Sequence, residues 1–166
     1  MIELSHVGPD DWRVWRTLRL AALAEAPYAF GSTLADWQGA GDLETRWRSR
    51  LGICGSHNVV ATLCGEPVGM ASGVPSDDAG AVELISMWVS PAGRGQGVGD
   101  ALLREVERWA RTTGAGRLQL AVTDGNDPAA AMYLRNGFVF TGALGDVMPD
   151  GMRRERVMAK ALVEAG

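Results

Sequence analysis

The sequence predicts a mixed α/β layer, and three features carry that prediction. Short apolar, partly β-branched runs alternate with longer stretches whose apolar residues recur at spacings of three and four. Glycine and proline punctuate the boundaries between them. With 46% apolar and 22% charged residues over 166 positions, the chain can fill one core and still keep its surface wet. That length suits one domain, taken as residues 1–166, and is short for two. No repeat, low-complexity tract or charge run marks a linker.

Ile2 to Val7 alternates weakly and reads as a first strand, ended by Gly8-Pro9. Asp10 or Asp11 is placed to cap a helix running to about Ala24, where Trp12, Trp15, Leu18, Arg19 and Ala22 form one stripe. Pro27 ends it. Tyr28 to Asp42 reads as an extended loop and Leu43 to Leu51 as a second short helix. Asn58 to Cys64 and Pro67 to Val74 are two strands joined at Gly65-Glu66 as a hairpin. Val82 to Val89 is a strongly apolar fourth strand. After a cluster of glycines, Asp100 to Thr112 forms a helix with Leu102, Val106, Trp109 and Ala110 on one face. Arg117 to Val122 is a fifth strand. Asp127-Pro128 opens another helix, with Asp as its cap, and Asn136-Gly137 closes it. Phe138 to Thr141 and Glu155 to Leu162 are the last two strands. The order is β-α-α-β-β-β-α-β-α-β-β.

Composition also excludes. No run approaches the roughly 20 apolar residues of a membrane span. Met1 to Asp11 lacks the basic start and apolar run of a signal peptide, so a soluble, cytoplasmic protein with no membrane partner is expected. A net charge of −4 gives no reason to expect nucleic-acid binding. Cys54, in a loop, and Cys64, in a strand, cannot make a disulfide framework, and no Cys/His spacing suggests a metal. His6 and His57 stand alone.

The most informative segment is Val89-Ser90-Pro91-Ala92-Gly93-Arg94-Gly95-Gln96-Gly97-Val98-Gly99, which follows a strand and opens a helix. Glycines at 95, 97 and 99 leave backbone N–H groups uncovered, and the first turn of a helix has unpaired donors and a partial positive charge. Together they make a pyrophosphate cradle, to which Arg94 can add a charged contact. A dinucleotide fingerprint fails in either register, because Val98 or Asp100 stands where its third glycine belongs. A nucleotide P-loop needs a lysine that is absent here.

Arg94-x-x-Gly97-x-Gly99 resembles the acyl-CoA signature of the GNAT N-acetyltransferase superfamily. A second match strengthens it: Asn126, Ala129, Tyr133 and Gly137-Phe138 fall at the spacing of that family's N-x-x-A-x-x-x-Y-x-x-x-G-F segment. Leu18 to Leu23, Pro27 and Ala29 to Thr33 also look like many bacterial members. The resemblance implies a mixed, mostly antiparallel sheet with strands four and five parallel and splayed, flanked by about four helices.

It further implies acetyl-CoA as co-substrate and no metal. The main-chain groups of Met87 and Val89 would hold pantetheine, and the N–H groups of Arg94, Gly95, Gln96, Gly97, Val98 and Gly99 the pyrophosphate. Asn126 would contact pantetheine or the acceptor side. Transfer to an amine needs a base, because such amines are protonated at neutral pH, and the departing thiolate benefits from an acid. Tyr133 matches the family's acid. Glu83, in an otherwise apolar strand, is the expected base, with a water chain as the alternative. Neither cysteine is needed, so direct attack in a ternary complex is expected. Tyr28 to Asp42 and Gly142 to Arg154 would form the acceptor site, with Tyr28, Phe30 and Trp37 as walls and Asp36 for a cation. The residues do not choose between a small amine, an antibiotic, an amino acid and a protein or peptide amine. A CoA-binding sensor without turnover, or a longer acyl group, are rival readings. Homodimers are common among such folds, often through the C-terminal strands, and no sequence feature here establishes one.

Overall fold

In the computed structural model, which describes residues 1–162, the strands are β1 Ile2–Val7, β2 His57–Leu63, β3 Glu66–Pro75, β4 Ala81–Val89, β5 Arg117–Thr123, β6 Val139–Val147 and β7 Arg154–Ala161. The helices are α1 Trp12–Glu25, α2 Glu44–Leu51, α3 Val98–Thr112 and α4 Asp127–Arg135. The strands form one sheet in the order β1-β2-β3-β4-β5-β7-β6. Every pairing is antiparallel except β4 with β5. This is the mixed, mostly antiparallel sheet with four helices that the family resemblance implied.

Alternation along the strands sorts the core into two layers. Val59 and Ala61 of β2, Val82 and Leu84 of β4, and Leu118, Leu120 and Val122 of β5 face α3, which supplies Val98, Leu102, Leu103, Val106 and Ala110. Val60, between the first two, faces the other way, into a cluster with Trp15, Leu18, Ala22 and Leu23 of α1 and Trp47 and Leu51 of α2. Both faces of the central strands are thus covered, while β1 and β6 at the edges stay largely exposed. The stripe read in α1 is the face that packs.

Several local expectations need correction. Neither Asp10 nor Asp11 caps α1: the Asp11 carboxylate accepts from the Gly8 N–H at 2.9 Å, and Asp10 pairs with Arg48 at 2.8 Å. Asp127 does not cap α4; it is the first helical residue, and Asn126 precedes it. Cys64 lies in a turn, not a strand. Cys64 and Gly65 both have positive φ, 51° and 84°, which makes the tight turn whose twist matches a hairpin. Helix α3 begins at Val98, two residues earlier than predicted, because Val98 is core. Strand β6 runs on to Val147, with irregular register against β7.

Candidate active site

Strand β4 opens the sheet. Its ladder with β5 covers only Ala81–Glu83 against Arg117–Gln119, so the β5-facing edge from Leu84 onward has no strand partner. Ser86 has φ of 54°, and the register with β3 shifts between Met70 and Ser72. One extra residue in a strand inverts the side-chain alternation beyond it. Before the bulge Val82 and Leu84 face α3; beyond it Met87 and Val89 do, and Trp88 turns to the α1 side. A non-glycine residue in the left-handed region costs about 1 kcal/mol. Arg50 holds this one in place: its Nη2 donates to Ser86 Oγ at 3.1 Å and to Ser72 Oγ at 3.0 Å, while its Nη1 donates to Asn58 Oδ1 at 3.2 Å.

Beside this free edge stands the start of α3. Gly95 and Gly97 have φ of 74° and 83°, and a side chain on either would meet nothing, so the loop surface there is open. The first backbone bond into the helix runs from the Ala101 N–H to the Gly97 carbonyl. The N–H groups of Val98, Gly99 and Asp100 therefore have no intrahelical acceptor. Gly99 also has a packing reason, since a Cβ would lie 2.8 Å from Met132 Sδ and close to Met87 and Val89. The Gln96 amide donates to the Ala92 carbonyl at 3.0 Å. Arg94 donates from Nε to the Val89 carbonyl at 3.1 Å and from Nη2 to Glu25 at 2.8 Å, and Glu25 also accepts from the Trp88 indole. These two side chains brace the turn, leaving its backbone to meet an anion. Asp100, whose charge would oppose one, is tied to Arg135 at 3.0 Å and Asn136 at 2.7 Å.

On the α1/α2 side of the sheet, the splay leads into a cavity of about 340 Å³. Trp15, Phe30, Trp37 and Trp47 give it aromatic walls, and Glu83 and Glu155 bring carboxylates to it. Glu83 is there because alternation turns it away from Val82 and Leu84. Its carboxyl is raised above the usual range by burial first, then by the charges of Glu155, Asp78, Asp77 and Asp146. Burial and Asp146 likewise raise Glu155. Of the loop residues read as walls, Phe30 and Trp37 line the cavity, whereas Tyr28 is 45% exposed and outside its lining. Asp36 spends its carboxylate on the Thr33 N–H at 2.9 Å.

Tyr133 lies on the other face. It is buried on α4, its ring edge-on to Phe138 at 5.9 Å, and burial raises its hydroxyl well above the ordinary tyrosine value. Asn126 borders a separate hollow of about 30 Å³ with Thr123, Asp127 and Arg156. The structure thus gathers Met87, Val89 and Gly99 at one place and puts Glu83 in the aromatic cavity, apart from Tyr133 and Asn126. Sequence reasoning missed Ser86, Arg50 and Glu155. Arg19, read only as a member of the α1 stripe, also lines the cavity; a charge within an apolar stripe was the signal that could have found it.

The site is thus a strand splayed beside an uncovered helix start and opening on a charged aromatic cavity. The chain belongs to the Acetyltransferase (GNAT) family, whose sequence model matches residues 19–138. It is similar to streptothricin acetyltransferase of Streptomyces lavendulae, 48% identical over 54 residues, 32% of this chain and 29% of that protein. It is also similar to IAA acetyltransferase of Azospirillum brasilense, 32% identical over 92 residues, 55% and 60% of the two chains. The matches thus span less than two thirds of either relative. Among solved structures, yncA of Salmonella typhimurium with its cofactor acetyl-CoA superposes with a TM-score of 0.78 over 100% of this chain and 96% of that one, at 21% identity. That likeness concerns the fold alone.

Acetyl-CoA is the group this family uses, and the site fits it on two counts: a strand edge with free amides, and a helix start without acceptors for its N–H groups. Among the described residues no group of three or more His, Cys, Asp or Glu side chains is placed to hold a metal. No described helix is long and apolar enough to cross a membrane.

Proposed function

We propose that this chain, acting as one domain, is an acetyl-CoA-dependent N-acetyltransferase that acetylates a primary amine by direct attack in a ternary complex. The observation that carries this reading is the bulge at Ser86. It frees the β4 edge beside the α3 start on one side and opens toward the carboxylate-bearing cavity on the other. The backbone of Met87 and Val89 pairs with the pantetheine amides, and the N–H groups from Arg94 to Gly99 hold the pyrophosphate. Asn126 contacts pantetheine or the acceptor side.

Acetyl-CoA supplies an acyl group already activated as a thioester. The protein's part is proton movement and placement. Glu83, raised toward neutrality, takes the proton of the incoming amine, directly or through water. Tyr133, whose raised value keeps it protonated, donates to the departing sulfur. A main-chain N–H near Val89 faces the charge that develops on the carbonyl oxygen. The acceptor enters from the aromatic cavity; the relatives' names, streptothricin and IAA acetyltransferase, show how varied acceptors are. The test is free-thiol release from acetyl-CoA across a broad panel of amines. Thiol release that depends on the amine, with N-acetyl product by mass spectrometry, is expected; tight acetyl-CoA binding with no turnover on any amine would instead favour a CoA sensor.

A further inference from the structure

The cavity holds more positive charge than an amine acceptor requires. Arg19 of α1 and Arg50 of α2 both line it, and neither forms an ion pair among the described residues. Arg50 is held only by the neutral groups of Asn58, Ser72 and Ser86, so its charge is uncompensated. Arg19 lies over the Phe30 ring at 4.6 Å, and its Nη1 is buried without a hydrogen-bond partner. The indole Nε1 of Trp37, which also lines the cavity, is a second buried donor without an acceptor. Burial and the nearby Arg50 charge pull the Arg19 guanidinium down to about 10, and burial pulls Arg50 down to about 10. Two like charges and two idle donors at one cavity are unfavourable unless an acceptor-rich anion joins them. Glu83 and Glu155 do not fill that role, since neither comes within ion-pair distance of either arginine.

We propose that the acceptor carries a carboxylate as well as its reactive amine, an amino-acid-like zwitterion whose carboxylate is received by Arg19, Arg50 and the Trp37 indole while its amine faces Glu83 and Glu155. This rests on the reading of the cavity as the acceptor site. An amine alone would satisfy the carboxylates and leave the guanidinium charges stranded; a carboxylate alone would do the reverse. A zwitterion satisfies both. The aromatic walls then accept the apolar remainder, and the cavity volume suits a small molecule.

The experiment is calorimetric titration of the full chain, saturated with CoA, by the standard α-amino acids and by the carboxamide of each one that binds. At least one amino acid should bind, with its carboxamide weaker by about ten-fold or more. Arg19→Gln should erase that gap, and Arg19→Lys should keep part of it. No binding by any amino acid, equal binding of acid and amide by the unaltered protein, or a gap that survives Arg19→Gln overturns the proposal. The acid–amide comparison stands on the unaltered protein even where a variant does not fold. Thiol release from acetyl-CoA is followed in parallel. An acid–amide gap without thiol release keeps the carboxylate site and removes acetyl transfer; release with simple amines and no gap does the opposite.

Discussion

At the scale of single residues, Ser86, Tyr133 and Gly73 show how local constraints become function. Ser86 spends conformational energy to reverse the face of β4, and Arg50 secures it. Tyr133 is buried, which raises its hydroxyl above the ordinary tyrosine value and keeps it protonated at neutral pH. Tyr133→Phe should therefore lower kcat by about a hundred-fold, the scale of a general-acid contribution, while the acetyl-CoA Kd by calorimetry stays unchanged. A normal rate would remove this residue from the mechanism. Gly73 serves packing. A Cβ there would sit 2.2 Å from the Trp109 ring, which is in turn stacked on His57, and an indole in such a stack cannot step aside. Gly73→Ala should cost about 1–3 kcal/mol, read as a lower urea midpoint with an unchanged slope.

At the scale of elements, the site is a meeting of strand ends. The acidic groups around Glu83 come from several elements: Glu155 is the second residue of β7, Asp146 lies in β6, and Asp77 and Asp78 precede β4, all within electrostatic reach. Protonation removes Glu83 as a base, so the rate should fall as pH drops through its raised value, above the ordinary carboxylate range. Glu155→Gln takes away a charge that raises Glu83, which should then titrate lower. The acid limb of kcat/KM should move toward lower pH in Glu155→Gln and vanish in Glu83→Gln; identical limbs in all three proteins would mean that another group controls it. The glycine-rich turn shows the same division of labour. Its side chains, Arg94 and Gln96, fasten the turn to β4, α1 and the preceding turn, and its backbone is what remains for a ligand.

At the scale of the whole molecule, the central strands are covered on both faces, and β4 and β5 part at the site. The wall of the cavity on the α1/α2 side is secured by Asp42, which accepts from Arg16 Nε at 2.8 Å and from the Trp47 indole at 2.7 Å and so ties the loop to both helices. The hydrogen bond from Arg16, with that from Trp47, holds the Asp42 carboxyl at about 2. A depressed value means that this contribution is complete above the ordinary carboxylate range and is lost as pH falls toward 2. Asp42→Asn should lower the Tm by several degrees near neutral pH, and the difference should shrink as pH falls through that window. A difference constant with pH would show that the ion pair does not stabilise the fold.

Much of this was legible beforehand, because periodicity and punctuation are local. The alternation in β2 and β5, the stripes of α1 and α3, and the glycines before α3 each follow from the character of a few neighbouring residues. So does the anion-binding character of the helix start, since unpaired N–H groups need only a helix and a bare approach. Glu83 stood out as a charge in an apolar strand, whereas Arg19 was read only as one member of the α1 stripe. The bulge was hidden because serine carries no mark of a left-handed backbone; what holds Ser86 there is Arg50, 36 positions away in the chain. Nor could the chain order show that Arg19, Arg50, Trp37, Glu83 and Glu155 share one cavity. Sequence by itself determined most of the elements and the bare glycine turn before α3, because those depend on near neighbours. Only the tertiary structure decided which charges face one another, because that depends on how helices and strands distant along the chain are stacked.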